Sequence, residues 1–183
     1  MQASDLELVA LVVASRDQHA FGLLVKRHEL LIRNMMLRMT SNHALADDLA
    51  QNAFLRAWNK IDSFSGKGTF KGWLCRIAYT EFLQSYRKRK STAKTMEKFK
   101  AHNEVIVGQR ANWDNGDAMD IDYALSKLSE IERNLIVLCY STGLTNDEAA
   151  NVSGLPVGTV KSHIKRGKEK MRNMLMTKEA VVR

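Results

Sequence analysis

Apolar residues recur along this chain at intervals of three and four, and no sustained alternation in twos appears. That period belongs to amphipathic helices, so the pattern predicts an all-α chain. Ser4 and Glu7 have the spacing of a capping box and open a short helix that reaches about residue 15. A second helix is expected over about 17–39, with Phe21, Leu24, Val25, Leu31, Met35 and Met39 on its apolar side. Ser41 and Asn42 break and recap the chain. A third helix, over about 43–61, would bury Leu45, Leu49, Phe54, Leu55 and Trp58. Residues 63–69, with Gly66 and Gly68, form a loop by composition. A fourth helix starts near Phe70 and passes through Trp73, Ile77 and Phe82 into the basic run Arg87-Lys88-Arg89-Lys90.

The periodicity weakens after residue 91, where the chain could extend the helix or lose order, and residues 112–117 have the composition of an irregular connection. Helices resume near Asp120. Ser129 and Glu132 form a second capping box ahead of Leu135, Ile136, Leu138 and Cys139, and Gly143 ends that helix. The expected organisation is therefore two small helical domains, 5–90 and 120–177, joined by a linker over 91–119. A segment of about 60 residues can just support its own core.

The C-terminal domain contains the most specific local pattern. Thr145 and Glu148 make a third capping box, Ala150 is small, and Gly154 supplies a turn that needs positive φ. Pro156 stops the first helix at the entry to the next. Val160 and Ile164 would bury one stripe of that second helix. Thr159, Lys161, Ser162, His163, Lys165 and Arg166 are left on its other faces. This is a helix-turn-helix, whose second helix presents such residues to base edges and phosphates in a major groove. The alternative is an αα-hairpin with a solvated basic face.

Charge strengthens the nucleic-acid reading. The 183 residues carry a net charge of +8, and the sequence pI is about 9.6. The charge is segregated. Residues 71–110 hold ten Lys/Arg against three Asp/Glu, 111–155 hold two against eight, and 156–183 hold eight against two. Two basic blocks around an acidic one suit a protein that touches a polyanion at two places. The cysteines, Cys75 and Cys139, are far apart and form no metal-ligand spacing, which favours reduced thiols in a cytosolic protein. His19, His28, His43, His102 and His163 are scattered, so no metal site and no cofactor are expected, and no arrangement of nucleophile and base suggests an enzyme. Asp5 and Glu7 interrupt the apolar N-terminal stretch, which argues against a secretory signal.

Two upstream features remain. On the third helix, Asp48, Gln51, Asn52 and Arg56 can face outward while Leu49, Ala53 and Phe54 turn in. That face either docks a basic helix of a partner or is merely solvated. In residues 62–79, Phe64, Phe70, Trp73 and Tyr79 are interleaved with glycines and bases. Such a segment fits single-stranded DNA, with aromatics receiving unstacked bases and cations tracking phosphates. The competing assignment puts these aromatics in the core; Trp73 reads mostly as core and Phe64 is open.

Taken in order, Ala20-Phe21 with its helix, residues 47–58, residues 64–78 and residues 144–171 resemble the extracytoplasmic-function (ECF) group of sigma-70 factors. The similarity spans about four-fifths of the chain. Its most specific parts are Phe70-x-x-Trp73-Leu74-x-Arg76-Ile77-Ala78 and Pro156-Val157-Gly158-Thr159-Val160-Lys161-Ser162. The resemblance implies two helical modules, sigma-2 and sigma-4, in a non-catalytic bacterial cytoplasmic factor that directs RNA polymerase to promoters, often in a stress response. It implies that sigma-2 binds the clamp of the largest polymerase subunit, with Asp48, Gln51, Asn52 and Arg56 at that contact. It places Phe64, Gly66, Lys67, Gly68, Thr69, Thr80, Arg87 and Lys88 at the melted minus-10 element. Sigma-4 would bind the flap of the second-largest subunit and read the minus-35 element through Thr159, Lys161, Ser162, His163, Lys165 and Arg166. Promoter DNA and core polymerase are then the partners, together with an anti-sigma factor of the kind that holds many relatives inactive. No small-molecule substrate is expected.

The chain also departs from the family. Asn52 stands where a second carboxylate is frequent, and Thr80 where asparagine is. Ser129 replaces a usual proline, and Ala149 and Ser153 make the first helix of the motif less apolar. A stand-alone helix-turn-helix regulator is the alternative function; it would bind duplex operators without polymerase. An enzyme acting on nucleic acid is the other.

Overall fold

A computed structural model describes the backbone of residues 3–99 and 116–181, and side chains over 3–92 and 121–176. The central part of the expected linker, with His102 and most of the 112–117 stretch, lies outside the described residues. Among the described residues the regular structure is helical throughout, in eight α-helices. They are α1 (Asp5–Ser15), α2 (Gln18–Thr40), α3 (His43–Lys60), α4 (Phe70–Phe99), α5 (Gly116–Ser126), α6 (Glu130–Ile136), α7 (Asn146–Ser153) and α8 (Val157–Val181). None of them is long and apolar enough to cross a membrane.

The starts of these helices follow local chemistry. All three expected capping boxes form, at Ser4–Glu7, Ser129–Glu132 and Thr145–Glu148. Asp17 and Asn42 cap α2 and α3 by accepting from Ala20 N–H and Leu45 N–H. The left-handed Gly154 (φ 73°) ends α7. Between α6 and α7 the chain does something the periodicity did not predict: residues Val137–Ser141 form a π-helical turn.

In the N-terminal half, α1–α4 pack around Leu24, Ile32, Met35, Met36 and Leu74, all fully buried. The expected apolar side of α2 is shifted: Leu24, Met35 and Met39 are buried, while Phe21, Val25 and Leu31 are half-buried. Leu55 corrects the expectation for α3. It is 59% exposed rather than buried. The helix turns its small residues Ala46, Ala50, Ala53 and Ala57 inward, and these permit a close approach that leaves no room for Leu55 on the same face.

In the C-terminal half, α6 and α8 cross at Gly167, where an added Cβ would lie 2.6 Å from Ile136 Cδ1. One polar clamp fastens the same two helices. Glu132 is 4% exposed; its carboxylate accepts from Ser129 N–H and O–H and from Lys170 Nζ at 2.8 Å. The Lys170 hydrogen bond chiefly, with those from Ser129, holds its carboxyl down at about 2, against an ordinary 4.5. A depressed carboxylate pKa stabilises the fold above its unfolded value and ceases to do so as pH falls through the folded value. Glu132→Gln is therefore expected to lower stability at neutral pH by about 1 kcal/mol, the scale of a cap or a part-exposed ion pair. The gap to the unaltered protein should narrow from pH 4.5 toward pH 2. Thermal melts of both proteins across that range check this; a gap independent of pH would assign the loss to packing.

The two halves touch. Arg38 Nη1 donates to Ser141 Oγ at 2.6 Å, Thr69 Oγ1 donates to Glu148 Oε1 at 3.2 Å, and Lys71 Nζ donates to the Gly143 carbonyl at 3.2 Å. Their buried apolar residues form one continuous cluster.

Candidate functional site

Three exposed surfaces collect the residues singled out by the sequence. The first is a groove of roughly 660 Å³ between α2 and α3. Phe21, Val25, Leu30, Phe54, Leu55 and Trp58 give it apolar walls. Phe21 and Trp58 meet edge to face, with ring centroids 5.0 Å apart. Arg33 and Asp47 also line it and are joined at 2.5 Å, a pair that holds the Asp47 carboxyl below its usual range. Gln51 lines the groove as well, while Asp48 and Asn52, each one residue further along α3, are exposed beside it. Arg56 is placed differently. Its Nε lies 2.6 Å from Glu81 Oε1 on α4, so the side chain ties α3 to α4. Leu30 and Leu55 were not among the expected site residues, yet they are the most exposed large apolar side chains of α2 and α3, at 65% and 59%. Both leucines stand among the apolar walls of the groove, which Arg33, Asp47 and Gln51 edge with polar groups.

The second surface begins in the loop before α4. Gly66 and Gly68 take φ of 70° and 92°, the left-handed region open to glycine at least cost. Both stand in open space, and Lys67 and Thr69 are exposed with them. Thr69 starts α4 by accepting from Gly72 N–H at 3.0 Å. Phe64 is half-buried against Phe70 and Trp73, at centroid distances of 5.8 and 5.6 Å. The three rings form a small aromatic cluster in which Phe70 is buried and Phe64 and Trp73 are half-buried. Tyr79 is core, 3% exposed. Along α4, Arg76, Thr80, Gln84, Arg87 and Lys88 are exposed at helical spacing. Thr80 Oγ1 donates to the Arg76 carbonyl, which leaves its methyl and oxygen lone pairs at the surface. The surface is thus an open loop, a ring cluster and a cationic stripe in sequence along one edge.

The third surface is the N-terminal part of α8. Val160 and Ile164 are buried at 0% and 7%, as their spacing predicts. Lys161, Ser162, Lys165 and Arg166 are exposed, and Thr159 and His163 are half-buried on the flank. Ser162 Oγ donates to the Gly158 carbonyl, and the Arg166 guanidinium lies 3.0 Å from His163 Nδ1. A guanidinium only donates, so His163 Nδ1 is the acceptor there. Ala149 is fully buried in α7, so the reduced apolar volume of that helix is matched by close packing rather than by exposure.

Comparison with known proteins finds relatives of both halves of the chain. Residues 24–92 match sigma-70 region 2, and residues 118–171 match sigma-70 region 4. The chain is 31% identical to the ECF RNA polymerase sigma factor SigW of Bacillus subtilis, over 89% of this chain and 92% of that protein. It is 32% identical to the ECF RNA polymerase sigma-E factor of Haemophilus influenzae, over 95% of this chain and 96% of that one. Among solved structures, it resembles the sigma factor RpoE in complex with the anti-sigma factor NepR from Bartonella quintana. The TM-score is 0.72 at 28% identity, over 85% of this chain and 96% of that one. It also resembles CnrH in complex with the cytosolic domain of CnrY, with a TM-score of 0.70 at 27% identity over 94% and 97%.

Proposed function

Because the chain belongs to the ECF group of sigma-70 factors, which direct RNA polymerase to promoters, we propose how its three surfaces divide that work. The groove between α2 and α3, with Asp48, Gln51 and Asn52 on its α3 side, docks the clamp of the largest subunit. Arg56 supports that face through Glu81. The loop at 66–69, the Phe64 platform and the basic stripe of α4 take the minus-10 element as single strand. A base that leaves the duplex stacks on the aromatic platform while Arg87 and Lys88 hold phosphates. Capturing the unpaired form shifts the duplex toward the open bubble without any covalent step. The exposed face of α8 reads the minus-35 element, and the C-terminal module also meets the flap of the second-largest subunit.

The observation that supports this reading is the presence, on one chain and in family order, of an open glycine loop beside aromatic rings and exposed cations, and of a helix-turn-helix. Each module alone can bind weakly, since polymerase links them and raises the effective concentration of the second contact. The module boundaries 5–90 and 120–177, with 91–119 between them, belong to the same proposal. So do a cytoplasmic location, the absence of catalytic chemistry, and an anti-sigma factor as a regulatory partner; the solved relative RpoE named above was captured with the anti-sigma factor NepR.

Run-off transcription from a library of promoter-length duplexes, with purified core polymerase and this chain, tests the proposal. Protein-dependent transcripts sharing two upstream elements are expected. Absence of both core binding and initiation would remove the sigma assignment and favour a stand-alone operator-binding protein.

A further inference from the structure

The loop before α4 is tied to α1 at both of its ends. At its entry, the guanidinium of Arg16, just past the end of α1, pairs with Asp62 and donates to the Trp58 carbonyl at 3.3 Å. At its exit, Asp5, the first residue of α1, accepts from His28 Nε2 at 2.8 Å, and the His28 ring centroid lies 5.5 Å from that of Phe70. Phe70 in turn packs against Phe64 and Trp73. We propose that α1 is a splint for this loop: Arg16 and His28 are positioning residues that hold the segment from Phe64 to Thr69 in place. The use of that segment, capture of an unpaired strand, rests on the functional reading above.

Three observations support it. The first is the backbone of Arg16. It is left-handed (φ 54°, ψ 40°), and its N–H caps α1 on the Val12 carbonyl at 2.9 Å. Glycine takes that conformation at least cost, and a side chain there is strained. The chain places an arginine at this position, and the side chain reaches the turn that opens the loop. The second is where that turn sits. Asp62 belongs to the 3₁₀ turn Ile61–Ser63, whose Ile61 is fully buried, and Phe64 N–H closes it on the Ile61 carbonyl at 3.0 Å. The Arg16–Asp62 pair is about half exposed on both sides, 49% and 51%, so it contributes little to stability and acts chiefly on the direction in which Phe64 leaves the turn. The third is the contrast between the ends and the middle. His28 is 7% exposed, and Arg27 Nη1 donates to the other oxygen of Asp5 at 2.5 Å, so the imidazole meets a carboxylate that is itself held. Gly66 and Gly68, by comparison, stand in open space with left-handed backbones. The middle of the loop has little packing of its own, so its shape is set from its ends. A loop already ordered loses less freedom when it meets a ligand, and this is how residues remote from the strand would strengthen its capture.

Arg16→Gly separates positioning from folding. Glycine relaxes the left-handed position while removing the tie to Asp62, so the melting temperature should hold level. Amide hydrogen exchange over residues 61–73 of the free protein, read by mass spectrometry, is expected to quicken by about threefold or more, with exchange over α8 unchanged. Asp62→Ala should reproduce this, and the double variant should add nothing to either single change. His28→Phe keeps a ring beside Phe70 but drops the bond to Asp5, and loosens the exit of the loop independently should Arg16→Gly fold poorly. With core polymerase bound, the non-template single strand of a promoter recovered by run-off selection serves as the probe. Arg16→Gly is expected to weaken its binding by about fivefold, with affinity for core unaltered. Unchanged exchange over 61–73 in folded Arg16→Gly and His28→Phe overturns the splint. So does a fall in melting temperature that quickens exchange over α8 equally, which would assign Arg16 and His28 to general stability. Faster exchange at full strand affinity leaves the splint standing and counts against the minus-10 reading of the loop instead.

Discussion

Leu55→Asp is expected to weaken binding to core polymerase by about tenfold to a hundredfold while leaving the chain folded. Leu55 is 59% exposed, so its removal from the free protein takes little packing with it. In the docked state the same position would be covered. Covering a leucine contributes about 1.5–3 kcal/mol, and leaving a carboxylate there without a partner costs more than the leucine gained. Each 1.4 kcal/mol is a factor of ten in Kd. Leu30, 65% exposed across the groove, should behave in the same way. Asp48→Arg separates a second mechanism. It sits beside the apolar groove, so reversing its charge is expected to slow association and to change its salt dependence more than it changes the rate of release. Titrating labelled variants against core polymerase, with thermal melts as the control for folding, gives both answers. An unchanged Kd for Leu55→Asp in a folded protein would move the clamp contact off this groove.

That groove also shows where sequence patterning stops. Features fixed by residues three or four apart were legible: the capping boxes, the left-handed Gly154, and the buried pair Val160 and Ile164. Each depends on a single turn of helix, and a single turn is visible in the order of the residues. Leu55 was misread because burial is decided by what the neighbouring helix leaves room for. The spacing of Leu55 is compatible with the core, but the small residues Ala46, Ala50, Ala53 and Ala57 already occupy the face of α3 that meets its neighbours. The π-helical turn at Val137–Ser141 has no composition signal of its own. The pairings of Arg56 with Glu81 and of Thr69 with Glu148 join residues 25 and 79 apart. Nothing local announces them, although charged or capping residues on a helix face were present to be asked where their partners lie. The surfaces proposed to meet nucleic acid fall between these extremes. Their residue types were readable because recognition needs cations and exposed glycines, but only the fold decides that Phe64 is half-buried in a ring cluster while Tyr79 is core.

Arg166→Ala and Lys161→Ala are each expected to reduce transcription from promoters with a minus-35 element by about fivefold to a hundredfold, with core binding retained. One base-edge or phosphate contact from an exposed cation is worth about 1–3 kcal/mol. Both side chains are exposed on α8, and neither is packed into the module that holds the helix. The two differ in how they are held. The Arg166 guanidinium lies against His163 Nδ1 at 3.0 Å, which restricts its fork before DNA arrives, whereas no contact of that kind orders Lys161 among the described interactions. A pre-oriented guanidinium suits the bidentate pattern of guanine, and a mobile ammonium suits a phosphate. The expected outcome is therefore asymmetric. Arg166→Ala should relax preference at one base of the element, and His163→Ala should reproduce part of that loss by freeing the guanidinium. Lys161→Ala should weaken all minus-35 sequences alike and lower the salt slope by about 1. Measuring transcription for each variant over a library randomised in the minus-35 element separates the two patterns. Uniform loss for Arg166→Ala would reassign it to the phosphate backbone, and loss of core binding in either variant would place this face of α8 on polymerase instead of DNA.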